Sequence, residues 1–323
     1  MSGPIKKIVT IGGGSGQFVL LSGLRTTRDT DITAVVSMVD SGGSTGRLRD
    51  ELGILPPGDI LKCILALSPH QDAVRTILLK RFQNDRRLAG HSAGNMLLTM
   101  LSRYTGNFPA GVAALAEILD ARGTILPVTI DRATLVAELT DGRRIYGEEA
   151  IDLPRGTQRE RIKDVFLVPH HHADISVYPP VLTAIEKADY IFLGPGDLFT
   201  SVIPNLIVPG VKQAFEKTQA RLFFILNVMT KYGETQHFTG RDFLAILEEH
   251  LGRKVDGVIA NQTRPSDEML KAYDRQKSEM VRIEPDHAFW RERELILTDI
   301  LDPDAGIVRH DQDKLSRIIQ TLI

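Results

Sequence analysis

The chain has 323 residues, of which 42% are hydrophobic and 25% are charged, and its formal net charge is −2. This length fits one large α/β unit or two ordinary domains, with ample apolar material for a core. The small net charge gives no electrostatic reason to expect nucleic acid or an anionic membrane as a partner. Apolar runs such as Phe223–Leu226 are far shorter than the roughly 20 residues that a membrane-spanning helix needs.

The N-terminal segment and the cysteine content predict a cytoplasmic protein. A strand-like run follows the first few residues, which leaves no room for a signal peptide. A single cysteine, Cys63, excludes an internal disulfide framework and fits a reducing compartment. Cys63 lies on the apolar face of a helical pattern, so we expect a buried, inert thiol rather than a nucleophile.

Five β-prone runs each end at glycine or at a small polar residue. They are KIVTI (7–11), ITAVVSMV (32–39), YIFL (190–193), RLFFIL (221–226) and VDGVIA (255–260). Nearly continuous apolar strands, several of them followed by helical patterns, indicate a mostly parallel sheet covered on both faces. In such sheets ligands bind outside the carboxyl ends of the strands, near a switch in strand order. The polar residues of this sequence gather at those ends.

The middle of the chain interrupts the strand–helix alternation. Residues 59–122 have apolar positions at helical spacing, and a β-prone segment with a turn at Asp141-Gly142 follows. We interpret 59–172 as a helical insertion plus a small antiparallel annex on a Rossmann-like core formed by 1–58 and 173–323. The whole chain, 1–323, is then a single α/β unit. Residues 306–323 are typical of a final short strand followed by a helix.

The first glycine loop, GGGSGQ, lies between a strand and an apolar helix. Glycines allow the backbone to approach a phosphate, and a helix N-terminus offers unpaired N–H groups. This predicts phosphate or nucleotide contacts, with a tight turn that binds nothing as the alternative. The dinucleotide fingerprint is incomplete, because Gln17 stands where its third glycine is expected. The candidate ligand residues here are Gly12, Gly13, Gly14, Ser15 and Gly16.

A second glycine loop follows the next strand, in the stretch VVSMVDSGGSTGRLRDELGILPPGD. Asp40 ends that strand, where a Rossmann protein would hold a ribose hydroxyl. Alternatively, Asp40 and Asp59 hold a hydrated Mg²⁺ against ligand phosphates. An N-cap is the ordinary structural role for Asp59, and both roles are compatible. The candidate ligand residues are Asp40, Gly42, Gly43, Ser44, Thr45 and Arg47, because a donor-rich loop with arginines suits phosphate.

Three further segments add polar residues at strand ends or helix starts. Local caps and turns explain each segment when it is considered alone. Several such segments at one edge of the sheet favour ligand contact instead. The candidates are His91, Asn95, Gly194, Gly196, Asp197, Thr200, Ser201, Asn227 and Thr230. The run His170–His172 alternates faces on a strand, so we expect a solvated or locally bonded run rather than a zinc site. We expect Trp290 to pack in the interior rather than stack on a base.

Six motifs of the sequence occur in the order seen in a known family. They are VTIGGGSGQ, MVDSGGSTGRLRDELGILPPGD, GHSAGNMLL, GPGDLFTSVIPNL, NVMTKYGET and VRHD. Together they resemble the gluconeogenesis factor family of the 2-phospho-L-lactate transferase superfamily, over nearly the whole chain. The resemblance implies a Rossmann-like core with a helical insertion and a nucleotide-diphosphate pocket at the glycine loops. In the transferase branch a GDP-linked phospholactate moiety passes to a deazaflavin alcohol with Mg²⁺. The gluconeogenesis-factor branch resembles a UDP-sugar binder that supports cell shape and envelope synthesis on gluconeogenic carbon.

This chain departs from the family pattern at four places. Asp40-Ser41 stands where two acids are expected, and Leu61-Lys62 where an arginine and an asparagine are expected. Asp197 replaces a serine, and Lys231-Tyr232 replaces a glutamine and a proline. Loss of one acid weakens the case for a Mg²⁺-dependent transferase but leaves the phosphate-binding loops intact.

The family motif VRHD and a late helix supply two more candidates. Arg309 is suited to bidentate contact with a diphosphate, and the ring of Tyr273 can stack on a base or sugar. The alternatives are a core-facing tyrosine and a surface arginine paired with Asp311.

The hypothesis ranked first is a nucleotide-sugar-binding regulatory protein with no or weak catalysis. UDP-N-acetylglucosamine is a typical ligand of such a protein. A Mg²⁺-dependent phospholactate transferase-like enzyme using a nucleotide-diphosphate donor comes second, and an NAD-dependent oxidoreductase a distant third. The expected ligand is a nucleotide diphosphate-sugar, with Mg²⁺ as a candidate cofactor. A homo-oligomer is compatible with the sequence, which does not identify a downstream protein partner.

Overall fold

A computed structural model of the chain describes residues 4–83, 88–153, 159–170 and 174–323. Its strands are β1 (Lys6–Gly12), β2 (Thr30–Val36), β3 (Thr124–Pro127), β4 (Ala133–Leu139), β5 (Arg144–Tyr146), β6 (Ile162–Pro169), β7 (Tyr190–Leu193), β8 (Arg221–Ile225), β9 (Gly257–Asn261) and β10 (Glu294–Thr298). Seven of them form one parallel sheet in the order β10-β9-β8-β7-β1-β2-β3. The mostly parallel α/β sheet predicted from the apolar runs is confirmed.

The helices of the first half are α1 (Gly14–Leu24), α2 (Gly43–Leu52), α3 (Gly58–Leu67), α4 (Gln71–Leu78), α5 (Ala93–Tyr104), α6 (Phe108–Ile118) and α7 (Glu148–Asp152). Those of the second half are α8 (Pro179–Lys187), α9 (Ile203–Leu206), α10 (Val211–Lys217), α11 (Gly240–Leu251), α12 (Asp267–Arg275) and α13 (Gln312–Leu322). A π-helical turn at Leu198–Val202 precedes α9, and a 3₁₀ turn spans Ala288–Glu292. No helix in the described part of the chain is both long and apolar enough to cross a membrane.

The small antiparallel annex is also confirmed, with one strand more than the sequence indicated. β4 pairs with β5 through the Asp141-Gly142 turn, where Gly142 has a φ of +83° and its N–H donates to Leu139. β6 pairs along the other side of β4. The annex carries α7, which follows β5 directly and reaches the main sheet at the loop after β2. There the backbone N–H of Glu149 donates to Ser41 Oγ.

Two strands of the main sheet were not expected from the sequence. β3 lies inside the segment interpreted as an insertion, 59–172, yet it pairs with β2. β10 pairs with β9 at the other edge. The prediction of a final short strand in 306–311 is wrong, because this segment contributes only an isolated bridge between Leu301 and His310. The polar sequence 302–306, with Pro303 and Gly306, favours a turn there, whereas the predicted terminal helix is present as α13.

The strand order places a topological switch at β1. From β1 the chain moves to β2 on one side, whereas the later strands β7 to β10 are added on the other side. Connections that leave the two sides of a switch point open a crevice at the carboxyl ends of the strands. A binding site is therefore expected at this edge of the sheet.

Candidate functional site

A cleft of about 480 Å³ lies at the carboxyl ends of β1, β2, β7 and β8. Its walls are the loops that follow these strands, together with α3, α7, α12 and the segment before α13. Many of the residues singled out in the sequence line it. They are Gly13, Gly14, Ser15, Gly16, Asp40, Asp59, Gly196, Asp197, Thr200, Ser201, Asn227, Thr230, Tyr273 and Arg309. Segments distant in the sequence thus meet at one site.

The other candidates lie beneath or beside the cleft rather than on its lining. They are Gly12, Gly42, Gly43, Ser44, Thr45, Arg47, His91, Asn95 and Gly194. Ser44, His91 and Asn95 form a buried hydrogen-bonded cluster, with Ser44 Oγ 3.0 Å from His91 Nδ1 and 3.3 Å from Asn95 Nδ2. Arg47 donates to the carbonyl of Ala89. These contacts tie α2 to the start of α5 and thereby support the loop that carries Asp40.

The first glycine loop is pressed against two neighbouring segments. Gly13 is extended, with φ −175°, and a β-carbon there would lie 2.9 Å from Asp59 Oδ2. A β-carbon on Gly16 would lie 2.2 Å from the carbonyl oxygen of Pro195, so only glycine fits. α1 starts at Gly14 and receives no side-chain cap from Gly13, which leaves its first N–H groups facing the cleft. This end of the cleft has the backbone geometry of an anion site.

The residue that breaks the dinucleotide fingerprint has a structural role. Gln17 is fully buried, and its Nε2 donates to Thr10 Oγ1 at 3.2 Å and to the carbonyl of Val35 at 3.0 Å. Its Oε1 accepts a contact from the thiol of Cys63 at 3.6 Å. The side chain therefore joins β1, β2 and α3 under the loop, where a glycine would leave these polar groups unpaired. Cys63 is buried, as expected, and burial raises the pKa of its thiol.

Two hydroxyl groups on the lining are buried and unpaired. Neither Ser37 Oγ, after β2, nor Thr200 Oγ1, in the π-helical turn, has a hydrogen-bond partner among the described residues. Buried polar atoms in proteins almost always have partners, so such exceptions need an explanation. Both residues line the cleft. The N–H of Gly196 donates to Asn227 Oδ1 at 3.1 Å, which fixes the loop of residues 194–196 after β7.

Two carboxylates and a lysine form the acidic wall beside Gly13. Lys62 Nζ lies 2.9 Å from Asp59 Oδ1, one helical turn along α3. Burial and the nearby Asp59 raise the pKa of Asp40 to about 6. Asp59 lies in the first turn of α3 and makes no cap, so the N-cap alternative is not observed. One oxygen of Asp59, which was predicted to hold Mg²⁺ together with Asp40, is thus paired with the Lys62 ammonium.

A second group of charges lies at the end of α7 and in the loops after β7 and β8. Lys231 Nζ contacts Asp152, lies 2.7 Å from Asp197 Oδ2 and lies 3.2 Å from Glu234 Oε1. Although burial opposes its charge, Glu234, Asp197 and Asp152 raise the pKa of Lys231. Burial raises the pKa of Glu234 to about 8. Two of the four departures from the family pattern, Asp197 and Lys231, are therefore in direct contact.

The remaining wall is formed by α12 and the segment before α13. The Tyr273 hydroxyl donates to the carbonyl of Val308 at 3.2 Å, and the exposed Arg309 follows on the lining. His310 Nε2 lies 3.2 Å from the carbonyl of Leu226, and burial lowers the pKa of its imidazole to about 4. A neutral His310 must donate from Nε2, so its Nδ1 is an acceptor. Arg309 thus reaches the cleft from a loop, not from the expected strand.

Some predicted features lie away from the cleft. His170 Nε2 is 2.8 Å from Thr134 Oγ1 in the annex, whereas His171 and His172 lie outside the described residues. Trp290 is buried and packs edge-on against Phe289, as expected of an interior aromatic residue.

Several lining residues were not among the sequence-based candidates. They are Ser37, Lys62, Glu148, Asp152, Lys231, Gln276, Ser278 and His310. Lys62 and Lys231 were visible as departures from the family pattern, and that was the available signal. Glu148 and Asp152 reach the cleft only because the annex folds back, and no local pattern indicates that. Burial and Asp40 raise the pKa of Glu148 to about 8.

The fold is that of a Rossmann-like α/β protein with glycine loops at its topological switch point. The family described as 2-phospho-L-lactate transferase CofD matches residues 8–301. The chain is 37% identical to the gluconeogenesis factor of Bacillus subtilis over 98% of both chains. It is 38% identical to that of Halalkalibacterium halodurans over 97% of this chain and 95% of that protein. A crystal structure of a Bacillus halodurans protein, 37% identical, superposes with a TM-score of 0.91 and covers 98% of this chain and 99% of that one.

The chain therefore belongs to the 2-phospho-L-lactate transferase CofD family, and within it to the gluconeogenesis factors. The resemblance that the motifs indicated is confirmed.

Proposed function

We propose that the protein binds a nucleoside diphosphate-sugar in this cleft and acts as a regulator rather than as an efficient enzyme. One observation carries the proposal. The glycine end combines close backbone approach at Gly13, uncapped N–H groups of α1 and two unpaired buried hydroxyls. A diphosphate has acceptor oxygens that can come close to the Gly13 backbone. These oxygens can accept hydrogen bonds from the α1 N–H groups and from the two hydroxyls.

The rest of the cleft suits the two ends of such a ligand. Tyr273 and Arg309 offer a ring and a guanidinium on one wall. The carboxylates on the other walls can accept hydrogen bonds from sugar hydroxyls. On this basis we propose a UDP-sugar such as UDP-N-acetylglucosamine as the ligand.

The direct test is a calorimetric titration of the purified protein with UDP-N-acetylglucosamine, GDP and NAD. We expect the UDP-sugar to bind most tightly. The matched variant is Gly13→Val, which places a branched side chain where a β-carbon already meets Asp59. Loss of binding with an unchanged circular dichroism spectrum supports the site. Equal affinity in the folded variant contradicts it.

The cellular part of the proposal follows the family. We propose that the nucleotide-sugar-bound protein supports cell shape and envelope synthesis during growth on gluconeogenic carbon. Expression in a Bacillus subtilis strain that lacks its own gluconeogenesis factor tests this. We expect growth and rod shape on such carbon to be restored by the parent chain but not by Gly13→Val. Restoration of growth and shape by the variant would show that the cellular function does not depend on the cleft.

A transferase is the second candidate, and the closeness of Asp40 and Asp59 favours it. Two carboxylates beside a diphosphate site are the groups that such an enzyme needs to hold Mg²⁺. The assay is transfer of nucleotide-linked phospholactate to a deazaflavin alcohol. Robust Mg²⁺-dependent transfer that is lost in Asp40→Asn would establish this candidate in place of the regulator.

A further inference from the structure

We propose that the ammonium group of Lys62 takes the place of a divalent cation in the cleft, so that the ligand's diphosphate is bound without a metal ion. The second half of this inference, that the diphosphate is bound without a metal ion, rests on the proposed nucleotide binding. Its first half, that the acidic wall does not bind a divalent cation, is tested without any nucleotide.

The position of Lys62 is fixed by local helix geometry. Asp59 and Lys62 are three residues apart on α3, a spacing that puts them on the same face. Nζ lies 2.9 Å from Asp59 Oδ1, and the side chains are only 35% and 15% exposed. Both residues line the cleft. The ammonium is therefore held at the wall rather than extended into solvent.

Both carboxylates of the acidic wall already accept hydrogen bonds. Asp59 Oδ1 accepts from Lys62, and Asp59 Oδ2 lies against Gly13. Asp40 Oδ1 accepts from the N–H of Gly42 at 2.9 Å, and the Thr45 hydroxyl also donates to Asp40. Mg²⁺ demands near-octahedral geometry with short oxygen contacts. A metal ion bound here would lie beside the Lys62 ammonium and would compete with the donors to Asp40.

The ammonium can also serve the role that a metal would have. A lysine is a compact point charge that binds phosphate oxygens well. Asp59 and, more weakly, Asp40 raise the pKa of Lys62, so the charge is kept. Since Asp59 adjoins both Lys62 and Gly13, a phosphate at the first glycine loop has this positive charge beside it. The ammonium thus reduces the repulsion between the phosphate and Asp59.

The other acidic group of the cleft shows the same substitution. One carboxylate oxygen from each of Asp152, Asp197 and Glu234 lies within 4.8 Å of the other two, a spacing that would suit a cation. Lys231 contacts all three carboxylates. Among the described residues, therefore, both of these acidic groups are already paired with a lysine.

The first experiment uses Mn²⁺ alone, followed by the paramagnetic resonance signal of the free ion. We expect the parent protein to leave this signal nearly unchanged at sub-millimolar Mn²⁺. Lys62→Met keeps the aliphatic stem and removes the charge, so we expect its Mn²⁺ affinity to rise by about tenfold or more. Lys62→Arg keeps the charge, and Lys254→Met removes an exposed lysine that pairs with Glu292. Both should behave like the parent.

The second experiment repeats the UDP-N-acetylglucosamine titration in EDTA and in Mg²⁺. We expect the parent affinity to agree within about twofold, whereas Lys62→Met should bind weakly in EDTA and recover with Mg²⁺. Tight Mn²⁺ binding by the parent that Asp59→Asn removes, or parent nucleotide binding that EDTA abolishes, would overturn the inference. These parent measurements need no folded Lys62 variant. If no nucleotide binds under any condition, the proposed function fails, while the Mn²⁺ result still decides the metal question.

Discussion

Two adjacent glycines of the first loop provide a sharp test of where the phosphates lie. A β-carbon on Gly12 would meet only Gln17 atoms, at 3.8 Å, which is ordinary contact beneath the cleft. A β-carbon on Gly13 would lie 2.9 Å from Asp59 Oδ2, on the lining itself. Gly13→Ala and Gly12→Ala therefore add the same methyl group one residue apart, but on opposite sides of the loop.

We expect Gly13→Ala to displace Asp59 and to hold the ligand away from the backbone. Losing one hydrogen bond from a backbone N–H to a charged phosphate costs about 1.5–3 kcal/mol. This corresponds to an increase of about 10- to 150-fold in the dissociation constant. Gly13 has an extended backbone that alanine also adopts, so we expect the free energy of unfolding to change by less than about 1 kcal/mol.

Calorimetric affinity for UDP-N-acetylglucosamine, with urea unfolding as the stability measurement, separates the two effects. We expect Gly12→Ala to bind within about threefold of the parent, since its methyl group does not reach the lining. Equal losses of affinity in the two variants, or no loss in folded Gly13→Ala, would refute the assignment of the phosphates to this loop.

Three further predictions follow from the other walls and from the buried acids. Arg309→Ala should cost about 2–3 kcal/mol of UDP-sugar binding, the scale of a charge-assisted contact plus its desolvation, and calorimetric affinity within twofold of the parent would exclude the role. Tyr273→Ala should cost about 1–2 kcal/mol in the same assay, the scale of one stacking contact, and an unchanged affinity would leave Tyr273 only its bond to Val308. Burial raises the pKa of Glu234 from 4.5 to about 8. Between these pH values the folded state keeps a proton that the unfolded chain releases. The free energy of unfolding should therefore fall as the pH rises from 5 to 8. Urea unfolding should show that Glu234→Gln reduces this fall by on the order of 1 kcal/mol, and an identical pH dependence in both proteins would contradict the shift.

The sheet and the glycine end of the cleft could be predicted because their signals are local. Apolar runs that stop at glycine or at a small polar residue correctly located β1, β2, β7, β8 and β9. β3 and β10 are the two edge strands, of four and five residues, and neither was recognised in the sequence. Parallel strands share one carboxyl edge, so the loops after β1 and β7 could be placed together before their contacts were known.

The acidic walls could not be predicted because they depend on long-range packing. Glu148 and Asp152 reach the cleft on α7 only through the fold of the annex. Ser44 and His91 looked like ligand residues because polar side chains followed a glycine loop, yet they bond to each other below the surface. Lys62 and Lys231 were noticed only as departures from a family pattern, and their carboxylate partners required coordinates.

The most direct measurement of the central claim is a crystal structure of the protein with UDP-N-acetylglucosamine. We predict that the diphosphate lies against the N–H groups at the start of α1 and against Gly196, with Ser37 and Thr200 donating to ligand oxygens. Lys62 should be the nearest cation to the phosphates, with no metal ion between them and Asp59. A ligand bound elsewhere, or a diphosphate held away from the glycine loops, would contradict the account.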